Sequence, residues 1–597
     1  MDLPEIRTAV GRFLSDRDLV AAALVCKSWN ASFTPALYSI IQCGFACKQP
    51  TKRAVVANAH HIRRLYLLWG QFGIFSNNCT KLESVEIHTS LWSPDNWGLV
   101  TTLLQRNPRI KSIKINHSGP TMPMEVMKTI SSCSELRSLS IYAHGLDSTY
   151  TELILDIAVR LEHLAFGGFG CTYPESLDKW PCFPHLKKLD IQIGTSNLPL
   201  LELIRKCPML KALGGMINVG ELQPFSEFCN ILKTHCPLIE NLNLMGGSLT
   251  DMKIAQILDS GHRFVSLEFE GSGFGEMAFQ SLTRHFAWLQ KLHLLRSMGL
   301  TSAMAQRIMT SCPKLTLFWG TTLRASDILG IVQGEEAGTG SMTVEQPQDW
   351  VCTHLEHLRI SICGLDGKPL DWHRKVMQQL ARLVKLETLT LRTNGEYHAF
   401  PQGERDGLDL RLESGLDVLS SLKQLRILEF DGSRQQIGKQ DVRWMMEAWP
   451  RLHRISGKLH DERKQRSKLK HILEKRDIYV EYSERNNDNY VESEDDYYSD
   501  GEMSVEDLTE NEENEENEEN HEGDSDDDSD DDSDDDSDDD SDDDSNISDN
   551  SDISGGSDIS GDSDSSDDLD SSGSSDNSDD SDSSDSSNAS EDGQQEV

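Results

Sequence analysis

A six-residue pattern, apolar-x-x-apolar-x-apolar, recurs along most of the chain and leaves few folds open to it. It reads Leu82-Glu-Ser-Val85-Glu-Ile87, Ile110-Lys-Ser-Ile113-Lys-Ile115, Leu136-Arg-Ser-Leu139-Ser-Ile141 and Leu186-Lys-Lys-Leu189-Asp-Ile191. It continues to Leu355-Glu-His-Leu358-Arg-Ile360, Leu386-Glu-Thr-Leu389-Thr-Leu391 and Leu425-Arg-Ile-Leu428-Glu-Phe430. Looser copies start at Ile62, Leu210, Leu315 and Leu452, and the eight intervals from Ile110 to Leu315 all lie between 24 and 29 residues. The last three positions alternate apolar, polar, apolar, the signature of a short strand with one buried face. The remaining residues of each period are enough for a return segment. Examples with helical spacing are Met124-Glu-Val-Met-Lys-Thr-Ile130 and Leu198-Pro-Leu-Leu-Glu-Leu-Ile204. Prolines stop these helices at Asn107-Pro108, Cys207-Pro208, Cys236-Pro237 and Cys312-Pro313.

A chain that repeats a strand-plus-helix unit buries each unit against the next and grows as a solenoid. Over residues 46–482 the pattern resembles the leucine-rich repeat, particularly its cysteine-containing type. The fold class expected is therefore α/β, a horseshoe with a parallel inner sheet. The cysteines before successive strands recur about once per repeat rather than in a cluster, so they read as buried packing, not metal ligands. Wider spacings from Leu315 to Leu355 and from Leu386 to Leu425 imply insertions, one around 334–342 and one around 394–410. At the far end, 461–476 reads as a capping helix with Leu469, Ile472 and Leu473 on one face, followed by a strand at Ile478-Tyr479-Val480. Its basic run, Arg463-Lys-Gln-Arg-Ser-Lys-Leu-Lys470, reads either as a solvated outer face or as a nuclear import signal.

Residues 1–45 do not follow the repeat. Ile6, Val10, Phe13 and Leu14 share a helical face, Ser15 and Asp18 have capping-box spacing, and Leu19, Ala22, Cys26 and Trp29 form a stripe on a second helix. Thr34-Pro35 suits the start of a third. Leu3-Pro4-Glu5-Ile6, Val10, Leu14, Asp18-Leu19, Leu24-Val25-Cys26-Lys27-Ser28-Trp29 and Leu37-Tyr38 together resemble an F-box. Gly11 stands where that family commonly has an apolar residue. The resemblance implies a small all-α module that docks on the Skp-type linker of a cullin–RING (SCF-type) ubiquitin ligase, with the repeats behind it binding a protein substrate. Leu3, Pro4, Ile6, Val10 and Leu14 would insert into the linker. Leu19, Leu24, Val25 and Trp29 would form the module's core and contact edge.

Charge divides the 597-residue chain sharply. Residues 483–597 carry 50 acidic residues and one base, −49, and residues 1–482 carry 49 acids and 56 bases, +7. Glu-Glu-Asn and Ser-Asp-Asp-Asp repeats cannot bury enough surface to offset the entropy of ordering, so 483–597 is expected to be a disordered polyanion. A solubilising tail, a magnet for basic proteins, and a kinase target at serines followed by aspartate are all compatible with that composition. No apolar run is long enough for a membrane span, and the first residues lack the pattern of a secretory signal. Thirteen cysteines without a CxxC read as reduced thiols in a cytoplasmic or nuclear protein.

No P-loop, His-Glu-x-x-His, Gly-x-Ser-x-Gly or dinucleotide fingerprint occurs, and Gly271-Ser-Gly-Phe-Gly275 reads as a turn. The chain is thus expected to catalyse nothing itself and to need no cofactor or metal. His163, His293 and His357 sit at outward strand positions, facing a ligand or water. Substrate contact is expected on the concave face, at Glu86, Lys114, Ser140, Asp190, Asn243, Glu268, His293, Arg359, Thr390 and Glu429. Both charge signs occur there, which suits a protein ligand better than nucleic acid. The rival reading is a ligase-independent scaffold or chaperone that binds basic proteins through its acidic tail.

Overall fold

The computed structural model describes residues 3–43, 52–68, 72–89, 96–119, 122–168, 171–193 without 173 and 175, 200–215, 224–245, 249–332, 343–344, 348–391, 407–430 and 435–481. The chain divides into two units, Met1–Asp496 and Tyr497–Val597. The second unit, with almost all of the acidic segment, lies outside the described residues, as do the insertion at 334–342 and all but the last residues of that at 394–410.

The first unit is a leucine-rich-repeat solenoid. Among the described residues seventeen short strands form one parallel sheet, paired in chain order from Ile40–Cys43 to Tyr479–Glu481, with the small antiparallel pair Ile331–Val332 and Thr343–Val344 outside it. Fifteen of them follow the repeat starts read from the sequence. The alternation explains the layers. In Ser112–His117, Ile113 and Ile115 are wholly buried beneath the sheet, while Ser112, Lys114 and Asn116 stand half-buried on its open face. Helices such as Met124–Ser131, Asp251–Ser260 and Leu370–Leu380 cover the other side with Val126, Ile130, Ile254, Leu258, Val376 and Leu380.

Each helix that ends in Cys-Pro or Asn-Pro closes in one β-turn. The amide of Ile110 donates to the carbonyl of Asn107 at 3.1 Å, and Leu210 and Ile239 do the same to Cys207 and Cys236. Proline supplies the fixed φ of the turn's second position and needs no donor there. The residue three positions before the repeat start, with or without a following proline, points inward. Cys79, Cys133, Cys207, Cys236, Cys312 and Cys352 are fully buried. Burial pushes the Cys79 and Cys236 thiols up to about 12, so they remain protonated packing groups. Asn107 occupies the same place and satisfies three backbone groups of two coils: its Nδ2 donates to Cys79 and Leu103 carbonyls, and its Oδ1 accepts from Leu82.

Two features depart from the sequence reading. Among the described residues, the return segment between His163–Gly168 and Lys188–Ile193 contains no helix. Prolines 174, 181 and 184 break it, and Leu177, Trp180 and Phe183 plug the layer instead, with Trp180 Nε1 donating to Asp156. Ile40–Cys43, read as part of the N-terminal module, is the first strand and pairs with Arg64–Leu68. At the other end, the helix Arg463–Glu474 buries Leu469 and Leu473, and the strand Tyr479–Glu481 closes the sheet. Arg463, Lys464, Gln465 and Lys468 of that helix lie exposed to solvent.

Candidate functional site

Residues 3–37 fold into three helices, α1 (Pro4–Gly11), α2 (Asp16–Val25) and α3 (Lys27–Leu37). Pro4 starts α1, where its missing N–H is not needed. Ser15 caps α2, its Oγ accepting from the Asp18 amide at 3.2 Å and donating to the Asp18 carboxylate at 2.7 Å. The expected single stripe Leu19, Ala22, Cys26, Trp29 does not form. Cys26 is extended, φ −163° and ψ 168°, and acts as the exposed N-cap of α3, so the chain turns there. Pro35 lies inside α3 rather than at the start of a helix.

The turn at Cys26 decides what the module buries. Its apolar core is Leu19, Ala23 and Phe33, with Leu14, Ala22, Ala36 and Leu37 packed around it. Of the four residues expected to form the core and the contact edge, Leu19 lies in the core. Leu24 is 78% exposed and Val25 63%, because they end α2 just before the turn, and Trp29 is exposed while its ring meets Phe33 edge-on at 5.5 Å. Leu3, Pro4, Ile6 and Val10 are exposed along α1, and Leu14 is half-buried. Phe13, 89% exposed, and Val20 are further exposed apolar residues of the module. Gly11 is buried at the crossing of α1 and α3: a Cβ there would lie 3.1 Å from Phe33 Cδ1 and 3.2 Å from Ala36 Cβ. An apolar side chain at that position would push the two helices apart.

All ten concave-face candidates fall on one row of the ladder. Successive rungs carry Glu86, Lys114, Ser140, Ala165, Asp190, Gly214, Asn243, Glu268, His293, Trp319, Arg359, Thr390 and Glu429 in register. Two of them, His293 and Thr390, are buried rather than open. Neighbouring rungs are linked. Glu86 accepts from Lys114 at 2.6 Å and pairs with His88 at 2.7 Å. Burial pushes its carboxyl up, but those two hydrogen bonds outweigh that and hold it below the usual range. Thr390 Oγ1 donates to Glu429. His163 is exposed and His357 half-buried, each on the first residue of its strand.

The centre of the row is more acidic and less well matched. Asn243 Nδ2 donates to Glu268 at 2.6 Å, and His293 Nδ1 lies 2.7 Å from the other Glu268 oxygen. The His293 ring stands edge-on to Trp319 at 4.6 Å, and the Arg359 guanidinium lies 5.9 Å from that indole. Asp190 is half-buried. Burial lifts its carboxyl above the ordinary range against the pull of Lys188, and the charge of Glu268 lifts it further. Tyr142, hydrogen-bonded to Asp190, is pushed up to about 12, by burial first and by that carboxylate second. Glu270, in the turn two residues after Glu268, is a member of this group that the sequence pattern does not single out.

The glycine segment after Glu270 serves the fold. The amides of Gly275, Met277 and Ala278 all donate to the Asp251 carboxylate of the preceding coil, which thereby caps the helix Glu276–Leu282. Those amides are thus already occupied. Among the described residues no helix is long and apolar enough to cross a membrane.

No protein-family model and no curated protein matches this chain. Solved structures do. An internalin of Listeria monocytogenes is 13% identical, with 64% of this chain and 88% of that one aligned at a TM-score of 0.33. Rad7, in its complex with Elc1 from yeast, is 13% identical over 77% of this chain and 90% of that one, TM-score 0.36. TLR13 in complex with ssRNA13 is 14% identical over 74% and 66%, TM-score 0.28. At such values the fold assignment stands on the strand register and repeat of this chain itself.

Proposed function

We propose that the chain is a non-catalytic adaptor of a cullin–RING (SCF-type) ubiquitin ligase: the three-helix module docks as an F-box on a Skp-type linker, and the open face of the solenoid holds a protein substrate. The observation that carries the reading is the module's apolar surface. Eight of the 21 large apolar residues exposed among the described residues lie between Leu3 and Trp29. A module with a three-residue apolar core does not keep so much apolar surface in water without a partner. Six of the eight, Leu3, Ile6, Val10, Leu24, Val25 and Trp29, are among the residues the F-box resemblance implies for linker contact. In this reading the chain supplies proximity, holding a substrate lysine near a conjugating enzyme borne by other subunits.

The test is a pull-down with purified Skp-type linker. Capture should fail for Leu3→Ala/Trp29→Ala and survive deletion of 483–597. The rival, a scaffold that binds basic proteins through its tail, requires the reverse: binding lost with the tail and weakened by salt.

A further inference from the structure

The middle of the open face gathers carboxylates, and Glu268 there already accepts from Asn243 Nδ2 and lies 2.7 Å from His293 Nδ1. Glu268, Glu270 and His293 each offer one oxygen or nitrogen, and these atoms lie within 4.8 Å of one another. Two side-chain atoms sealed from solvent at this place have no hydrogen-bond partner, Asn243 Oδ1 and His293 Nε2. They belong to the two residues that flank Glu268 on the ladder, and His293 is only 8% exposed. The next rung beyond Asn243 is Gly214, then Asp190. A Cβ on Gly214 would lie 3.4 Å from Asn243 Cβ and 3.8 Å from Asp190 Oδ2, so the missing side chain opens a gap between them. The charge of Glu268 reaches Asp190 and lifts its carboxyl, in addition to burial. Arg296, half-exposed, stands 3.4 Å from Glu270, and the charge of Lys188 acts on Asp190.

We propose that this group is a recognition site for a primary ammonium, the side chain of a lysine carried by a polypeptide lying on the open face. An ammonium has three donors and no acceptor. Acceptors at hydrogen-bond distance around one tetrahedral nitrogen stand about 4.6 Å apart, within the span observed here. A guanidinium presents a planar fork that suits a single carboxylate, not three acceptors converging on a point. A zinc ion would draw its ligands to about 2.1 Å, hence about 3.4 Å from one another, and would leave Asp190 and Asn243 without a role. A lysine ammonium seated against Glu268 and Glu270 neutralises the surplus charge, and its stem covers the gap at Gly214. The inference deepens the proposed substrate role of the solenoid and rests on it, while linker docking by the N-terminal module is independent of it.

Carbodiimide coupling with site-resolved mass spectrometry tests the site in the full-length chain and reads it separately from the many carboxylates of the tail. The probe is the blocked peptide acetyl-Ala-Lys-Ala-amide in about 0.15 M salt, where exposed charges are screened beyond about a Debye length. The peptide should couple to Glu268 or Glu270 about tenfold more than to Glu429 on the same row, a preference worth one decade in affinity. Excess n-butylammonium should abolish that preference and n-butylguanidinium should leave it. Glu270→Gln, which keeps the shape of the side chain, should return coupling at Glu268 to the Glu429 level with an unchanged melting curve. Equal coupling at Glu268 and Glu429 overturns the proposal, as does protection by zinc but not by n-butylammonium. Linker capture scored on the same preparation separates the outcomes: a chain that captures the linker yet couples without preference sinks the lysine site alone.

Discussion

The solenoid and the three-helix module treat apolar side chains in opposite ways. In the solenoid, Phe264, Leu292, Leu358 and Leu428 are wholly buried, because every coil has a neighbour to cover its face. The module has no next copy. Only Leu19, Ala23 and Phe33 make its core, while Phe13, Leu24 and Val25 stand in solvent. The sheet still ties the two together, since Ile40–Cys43 leaves the module and pairs with the first repeat. Apolar residues in the repeat therefore report on stability, and those at the start report on binding.

That contrast is open to direct attack. The largest effect should come from Leu428→Ala, which opens a cavity in a fully packed layer; a loss of about 3 kcal/mol or more is expected in chemical denaturation, with linker capture intact wherever the variant is folded. Leu24→Ala should do the reverse, leaving the melting curve unchanged while weakening linker binding by about 2 kcal/mol, measured by calorimetry. A Leu24→Ala variant that melts early and binds normally would erase the distinction. Within the module, Ser15→Ala should cost about 1 kcal/mol of stability by removing the cap on the Asp18 amide.

The solenoid also carries a pH dependence. His285 and His373 are held below their ordinary range, chiefly by burial. The unfolded chain protonates these rings near pH 6.5, and the fold resists it. Their contribution is therefore complete above about pH 6.5 and is lost as pH falls below it, because the unfolded state then binds more protons. Denaturation midpoints between pH 7 and 5 should fall for the natural chain and fall less steeply for His285→Asn. Least consequential is Arg426→Ala at the half-exposed pair with Glu387, where a change under about 0.5 kcal/mol is expected by the same measurement.

Most of the solenoid could be read directly because its signal is local and repeated. Leu186-Lys-Lys-Leu189-Asp-Ile191 states which side of a strand is buried, and the Cys-Pro positions state where the helices stop. Tyr38-Ser-Ile-Ile41-Gln-Cys43 carries the same pattern 24 residues before Ile62, but less legibly. Tyrosine and cysteine stand there in place of leucine. The helix broken at Cys26 had no comparable signal, since the heptad-like spacing of Leu19, Ala22, Cys26 and Trp29 runs straight across the turn. The repeat pattern names the open-face row position by position, but not the partners within it. That Glu268 sits between Asn243 and His293, residues 25 positions away on either side, follows from register alone.

By itself, then, the order of residues determined the coil, its period and its inward face, because burial of alternating apolar groups is a one-dimensional rule. What only the folded molecule decided was which polar groups meet across rungs, where Gly214 leaves a gap, and which apolar residues of the first helices find nothing to cover them. Those outcomes depend on distances between segments far apart in the chain, and no local pattern encodes them.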